Sequence, residues 1–279
     1  MPVRLSRKVP LFRSDRQIER FDMRPNGLEV KWQKGEPLKG RHVYGRRNRV
    51  TVFTVQSRAR LTRAYNFGGK GGIKYTFTLT YHHTWPSDGY TSKRVHLHSW
   101  LALLRKILPG VGYLWVLEWQ ARGAPHYHVY LDQTVSVDDE LALSAAWSEL
   151  TSPGDDVAME FNVGHGIGHP WEVKVGINYA AKYASKWEQK GLPEGYETYG
   201  RWWATSKNWI PEPEEQIMTD IDEEGEVHGD DIQAYRQVKR YLKHVLGFRM
   251  YSRAYLRPHH LKDVSRIFRF YRLGSRPPG

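Results

Sequence analysis

Residues 112–132, GYLWVLEWQARGAPHYHVYLD, decide how the chain folds. Residues Gly112 to Asp132 read as two strands around a short connection, with His126 and His128 on the second. Between them Arg122-Gly123-Ala124-Pro125 supplies the residues of a tight connection, so the stretch reads as a hairpin of two antiparallel strands. Successive side chains on a strand point to opposite faces. His126 and His128 therefore share one face, while Tyr127 and Val129 share the other. Pairing the strands around a loop centred on Arg122 sets Glu118 opposite His126, and Val116 opposite His128. Directly paired residues point the same way, with Cβ atoms roughly 5 Å apart. Glu118, His126 and His128 can thus converge on one ion. Taken alone, His-x-His on a strand is more often two polar residues facing solvent, and the opposed carboxylate is what favours a metal site. Two imidazoles and one carboxylate leave open positions on a divalent cation, and they suit Mn²⁺ or Mg²⁺.

Outward from the hairpin, Tyr75 to Tyr81 (YTFTLTY) alternates with period two, which predicts a strand with Phe77 and Leu79 on one face and Thr76, Thr78 and Thr80 on a polar working face. Apolar residues at helical spacing from Leu97 to Leu108 predict a helix over 93–108, stopped by Pro109-Gly110. Ser136-Val-Asp-Asp139 resembles a capping box and opens a helix through Leu150 that packs Leu141, Ala145 and Trp147. Arg49 to Val55 reads as a first strand, 163–170 as a glycine-rich loop, 171–175 as a short strand and 177–190 as a helix. Gly68-Gly-Lys-Gly-Gly72 lacks the GK[ST] ending of a phosphate loop, so no ATPase module is expected. The order of elements predicts an α+β fold, a central antiparallel sheet with flanking helices and basic terminal extensions. Texture divides the chain into a basic N-terminal arm (1–48), a body (49–210), an acidic linker or exposed hairpin (211–231) and a basic helical C-terminal region (232–279).

The chain has 279 residues, with 42 Lys and Arg against 30 Asp and Glu, a formal charge of +12. That charge favours a polyanionic partner such as nucleic acid. There is no cysteine, which excludes disulfides and zinc-thiolate sites. No apolar run approaches the roughly 20 residues that span a bilayer, and the basic N-terminus lacks the apolar core of a secretory signal. A cytoplasmic protein with no membrane partner is the expectation.

A second constellation lies at Tyr179-Ala-Ala-Lys182-Tyr183-Ala-Ser-Lys186, two successive YxxK units. On a helix Tyr179 and Tyr183 stand one turn apart, as do Lys182 and Lys186. A phenol is a competent nucleophile toward phosphorus when a neighbouring ammonium favours the phenolate and offsets the developing charge. Alone, the pattern is more often an ordinary amphipathic helix with two packed tyrosines.

Together, and in this order, the motifs resemble those of the HUH superfamily of single-strand endonucleases, in particular the rolling-circle replication initiator (Rep) proteins. Phe77-Thr-Leu-Thr80 looks like the first motif, Pro125-His-Tyr-His128 like the second with Glu118 as the carboxylate ligand, and Tyr179 to Lys186 like the third in its two-tyrosine form. The resemblance spans residues 75–186 and is closest to initiators of single-stranded DNA bacteriophages, filamentous ones especially. It implies a ferredoxin- or RRM-like HUH fold, a metal held by Glu118, His126 and His128, and tyrosine attack on single-stranded origin DNA. The attack leaves a 5′-phosphotyrosine link and a free 3′-hydroxyl, and the strand is later rejoined without ATP. Lys182 and Lys186 flank Tyr183 and favour it as the first nucleophile, but the spacing does not separate it from Tyr179.

The candidate DNA contacts are Thr78, Thr80, Arg122 and Arg201. Implied partners are a single-stranded replication origin, such as a hairpin, and a helicase and polymerase of a bacterial host, in whose cytoplasm the protein works. A transposase or relaxase of the same superfamily keeps the chemistry, whereas a non-catalytic single-strand-binding protein would need neither metal nor tyrosine. His82-His83, His96, His98, His165 and His169 are weaker candidates. Arg201-Trp202-Trp203 reads as core or a stacking surface, with core favoured. The C-terminal segment, with Tyr235 to Leu246 and the aromatic-arginine run Arg266 to Arg272, fits a phosphate-backbone contact and a packing helix equally.

Overall fold

The computed structural model describes residues 17–24, 27–34, 53–164, 167–170, 191–194, 196, 199–213, 215–221, 227–228, 232–244, 253–254 and 258–273. The chain divides into two compact units, residues 45–212 and residues 1–44 together with 213–279.

The unit spanning 45–212 is built on the hairpin. In chain order it contains α1 (Val55–Phe67), a strand (Tyr75–Thr80), a π-helical turn (Thr91–Leu97), α2 (His98–Ile107), the hairpin strands (Tyr113–Trp119 and Pro125–Leu131), α3 (Val137–Thr151), α4 (Asp156–Gly164) and two edge strands (Gly168–Pro170 and Trp203–Thr205). Numbered within this sheet from β1 to β5, the strands are Tyr75–Thr80, Tyr113–Trp119, Pro125–Leu131, Gly168–Pro170 and Trp203–Thr205. They pair in the order β4-β1-β3-β2-β5, antiparallel throughout. This is the expected α+β architecture.

The loop closes as its residues require. Gly123 takes a left-handed φ of +80° that a side chain would oppose, and its amide donates to Gln120 O at 2.8 Å while Gln120 N donates to Ala124 O. At the open end, Gly112 N donates to Asp132 Oδ1 at 2.7 Å. A Cβ on Gly112 would meet that carboxylate at 2.4 Å, so only glycine allows the approach.

One face of the sheet carries the core. Phe77 meets Trp100 of α2 edge to face with centroids 5.2 Å apart, and Trp147 of α3 packs on Tyr81 while its indole N–H donates to Thr80 O at 2.8 Å. Trp100, Trp147 and Tyr127 are fully buried, each removing a large apolar area from water. The other face is covered at one end by α1, where Tyr65 packs on Tyr130 with centroids 5.1 Å apart.

Three sequence expectations change here. The alternation over 49–55 predicts a strand, but Phe53 and Thr54 are coil, and Val55 starts α1 behind a Thr54 cap whose hydroxyl accepts from Ser57 N. Leu61, Ala64 and Tyr65 then fall on one buried face, a helical period that outweighs the short β-like run. In α3 the buried residues are Leu143, Ser144, Trp147 and Ser148, whereas Leu141 is 40% exposed, because the helix turns that side outward. The glycine-rich stretch at 163–170 is partly structured, since α4 runs to Gly164 and Gly168–Pro170 is the edge strand β4. Residues 171–175 and 177–190, read as strand and helix, lie outside the described residues.

In the second unit, strands β6 (Gln17–Arg24), β7 (Gly27–Lys34), β8 (Glu215–Ile221), β9 (Val227–His228) and β10 (Arg253–Ala254) form another antiparallel sheet, ordered β10-β7-β6-β8-β9. Composition predicts an arm at 1–48 and a linker or hairpin at 211–231; β8 and β9 do pair antiparallel within the second stretch, and β6 pairs along its length with β8. The outer segments therefore share one sheet. Apolar periodicity hides the β6–β7 pair because Asp22, Arg24 and Glu29 are buried in it as a charge cluster, with Arg24 3.6 Å from both carboxylates. Helix α5 (Ile232–His244) packs Tyr235, Val238 and Leu242 with Phe21, Met23 and Leu28, joined by Val264 of α6 (Pro258–Leu273). A packing helix is thus what α5 is, with Arg236, Arg240 and Lys243 left facing outward. Among the described residues no helix is long and apolar enough to cross a membrane.

Candidate metal and nucleic-acid site

The hairpin register is the one the sequence predicts: Glu118 pairs with His126, and Val116 with His128. On the other side of β3, Thr80 pairs with His126 and Thr78 with His128. Two cross-strand rows result, Thr80-His126-Glu118 and Thr78-His128-Val116, on the face opposite Tyr127. Thr80 Oγ1 lies 2.7 Å from His126 Nδ1, and Thr78 Oγ1 is 3.5 Å from His128 Nδ1. His128 Nε2 stands 3.4 Å from Glu118 Oε2. The Glu118 carboxylate is buried, while both histidines are partly open.

Among the described residues, no group of three or more His, Asp or Glu side chains closes around one point. The two imidazoles meet edge to face, with centroids 4.6 Å apart and planes at 80°. The donor set nevertheless fits a cation. Two ligand atoms on one ion with bonds of about 2.1 Å stand roughly 3.0–3.4 Å apart, the separation of His128 Nε2 from Glu118 Oε2. A hydroxyl beside Nδ1 of His126 is the kind of outer partner that orients metal-binding imidazoles.

Next to Thr80 opens a cavity of about 330 Å³ lined by Thr80, His82, Gln120, Arg122, Phe161 and Asn162. His82 meets Phe161 edge to face at 5.5 Å. Arg122, a candidate DNA contact, donates to the carbonyls of Tyr81 and His82 and to Gln120 Oε1, so its guanidinium ties the loop after β1 to the hairpin tip. Thr80 is likewise engaged, its Oγ1 in hydrogen-bond contact with His126 Nδ1. Arg201 is exposed and lines a different groove. Tyr179, Lys182, Tyr183 and Lys186 lie outside the described residues, as does His165. His83 approaches Asp155 at 3.8 Å, and His169 is exposed on β4 opposite Thr76.

Sequence reasoning passes over a hydroxyl network behind the site. Tyr127, between the two histidines, shares a 2.5 Å hydrogen bond with Ser92, which accepts from Tyr81, whose hydroxyl also meets His96 Nδ1 at 2.9 Å. Burial pushes the Tyr81 and Tyr127 phenols well up and the His96 imidazole down. These phenols stay protonated and serve as fixed struts. No motif marks Ser92, because its contact depends on a π-helical turn that has no sequence period of its own.

Residues 74–188 match the family model of replication-associated protein ORF2/G2P. No curated protein and no solved structure matches the chain. The matched segment holds the hairpin, Glu118, His126, His128 and both YxxK units. By that match, residues 74–188 are similar to replication-associated proteins of the ORF2/G2P family, which supports a replication initiator.

Proposed function

We propose that the chain initiates rolling-circle replication by nicking single-stranded DNA at an origin through a tyrosine, and later rejoins the strand. The observation that carries this reading is the row Thr80-His126-Glu118 beside His128, inside the segment similar to replication-associated proteins. Glu118, His126 and His128 would hold Mg²⁺ or Mn²⁺, which when bound supplies Lewis-acid polarisation of the scissile phosphate. Thr80, in contact with His126 Nδ1, would fix the orientation of that ring. Tyr179 or Tyr183 attacks phosphorus. A bond forms between its phenolic oxygen and phosphorus, the bond from phosphorus to the 3′-oxygen breaks, and that oxygen takes up a proton and leaves as a 3′-hydroxyl. The phenolic proton passes to solvent, and Lys182 and Lys186 offset the negative charge that develops. Rejoining reverses the step, and a host helicase and polymerase extend the freed end in a bacterial cytoplasm.

The test is to incubate the protein with Mn²⁺ or Mg²⁺ and single-stranded oligonucleotides tiled across the DNA flanking its own gene, then to run denaturing gels. A covalent adduct is expected, and the Tyr179→Phe/Tyr183→Phe variant should abolish it. Absence of any adduct, or its persistence in that variant, overturns the reading.

A further inference from the structure

On the opposite face of the same sheet, α2, β2 and β5 border a groove of about 750 Å³. By strand alternation Tyr113 and Trp115, which line it, point away from the side carrying Glu118. Arg94, Arg105 and Arg201 bring three cations to this groove, with Lys93 beside them, against one carboxylate, Asp88. Asp88 is already engaged, accepting from Thr91 N at 2.8 Å. Among the described residues none of the three arginines forms an ion pair; Arg105 reaches only the Tyr113 hydroxyl, at 2.9 Å. Tyr90 stands at the rim, 72% exposed.

We propose that this groove is a second nucleic-acid site, which takes the phosphodiester backbone of a single strand on Arg94, Arg105 and Arg201 and stacks a base on Tyr90. The proposal rests on the nuclease reading only for the identity of the strand, DNA that flanks the nick.

Three observations support it. Uncompensated cations lining a concave wall with an exposed aromatic ring are the two components of sequence-independent single-strand binding. His98 lines the same groove, and burial first, then the charges of Arg94 and Arg105, hold its imidazole below its ordinary value. Lys93 is buried beside the Tyr199 ring, 4.2 Å from its centroid, and donates to Tyr199 O. Burial pushes its ammonium down to about 7, so an arriving phosphate would restore its charge. The groove is also within the size range of small-ligand sites, so a nucleotide is the competing occupant.

The experiment measures fluorescence anisotropy of labelled oligo-dT of about 20 nucleotides across a salt series in chelator, where cleavage is silent. Removing three phosphate contacts should flatten the slope of log K against log salt by about 2 (about 0.7 per contact). The Arg94→Gln/Arg105→Gln/Arg201→Gln variant should show that flattening and an affinity loss of roughly tenfold or more at about 0.1 M salt. The corresponding Arg→Lys variant should keep the slope, which separates charge from folding. An unchanged slope in the glutamine variant overturns the proposal, as does a mononucleotide that competes as well as the strand. His126→Ala should retain the slope while losing the adduct, so failure of the groove and failure of the nuclease reading give different patterns.

Discussion

The two faces of β3 differ by one residue and by their whole chemistry. Tyr127 and Val129 are fully buried against the π-helical turn and α3, and the Tyr127 hydroxyl is committed to Ser92. His126 and His128, their alternate neighbours, stay partly open, one held by Thr80 and the other beside Glu118. The difference teaches that a rigid, dry face can hold a polar, half-open one in place. The core side fixes the strand, and the strand's period delivers the imidazoles to the other side.

The largest expected effect comes from breaking the open face alone. His126→Ala should cut adduct formation by at least about a hundredfold, while binding of oligo-dT and the melting temperature change little. Equal loss of binding and activity would make His126 a folding residue. Breaking the buried face should do the reverse: Trp147→Ala removes a fully buried indole and its bond to Thr80 O, costing roughly 3–5 kcal/mol of stability in denaturant unfolding. A loss under about 1 kcal/mol would mean the face is not the anchor described here.

A finer cut tests the bond between the strands. Thr80→Val keeps the shape of the side chain and removes the hydroxyl on His126 Nδ1, so Mn²⁺ affinity should weaken about tenfold with the fold intact. The smallest effect concerns Lys93. Its pKa is lowered in the fold, so the unfolded chain binds more protons between about pH 7 and its ordinary value. The burial penalty is therefore fully present below about pH 7 and fades as pH rises, and this residue makes stability climb with pH across that window. Lys93→Met should flatten the climb in melting temperature between pH 7 and 9; an identical profile would show that Lys93 is not desolvated.

Much of the histidine face was legible because it depends on local rules. A glycine-bearing turn sets the hairpin register, the register sets Glu118 opposite His126, and Ser136 starts α3 where a capping residue should. What escaped depends on contacts distant in sequence. The β6–β8 pairing joins residues about 200 apart, and the buried Asp22-Arg24-Glu29 cluster breaks the apolar pattern that would announce a strand. Ser92 and Lys93 take their roles from a π-helical turn, and Arg94, Arg105 and Arg201 meet only once α2 and β5 lie beside β2. Side-chain aim around the metal-ligand candidates was not legible either, since register fixes a face but not a rotamer.

The central claim, that the histidine face serves a tyrosine nuclease, is tested most directly by mass spectrometry of the nuclease-trimmed adduct formed with Mn²⁺. The account predicts a nucleotide mass on the peptide carrying Tyr179 and Tyr183, and none from the His126→Ala protein. A nucleotide on any other residue, or equal labelling of the His126→Ala protein, would contradict it.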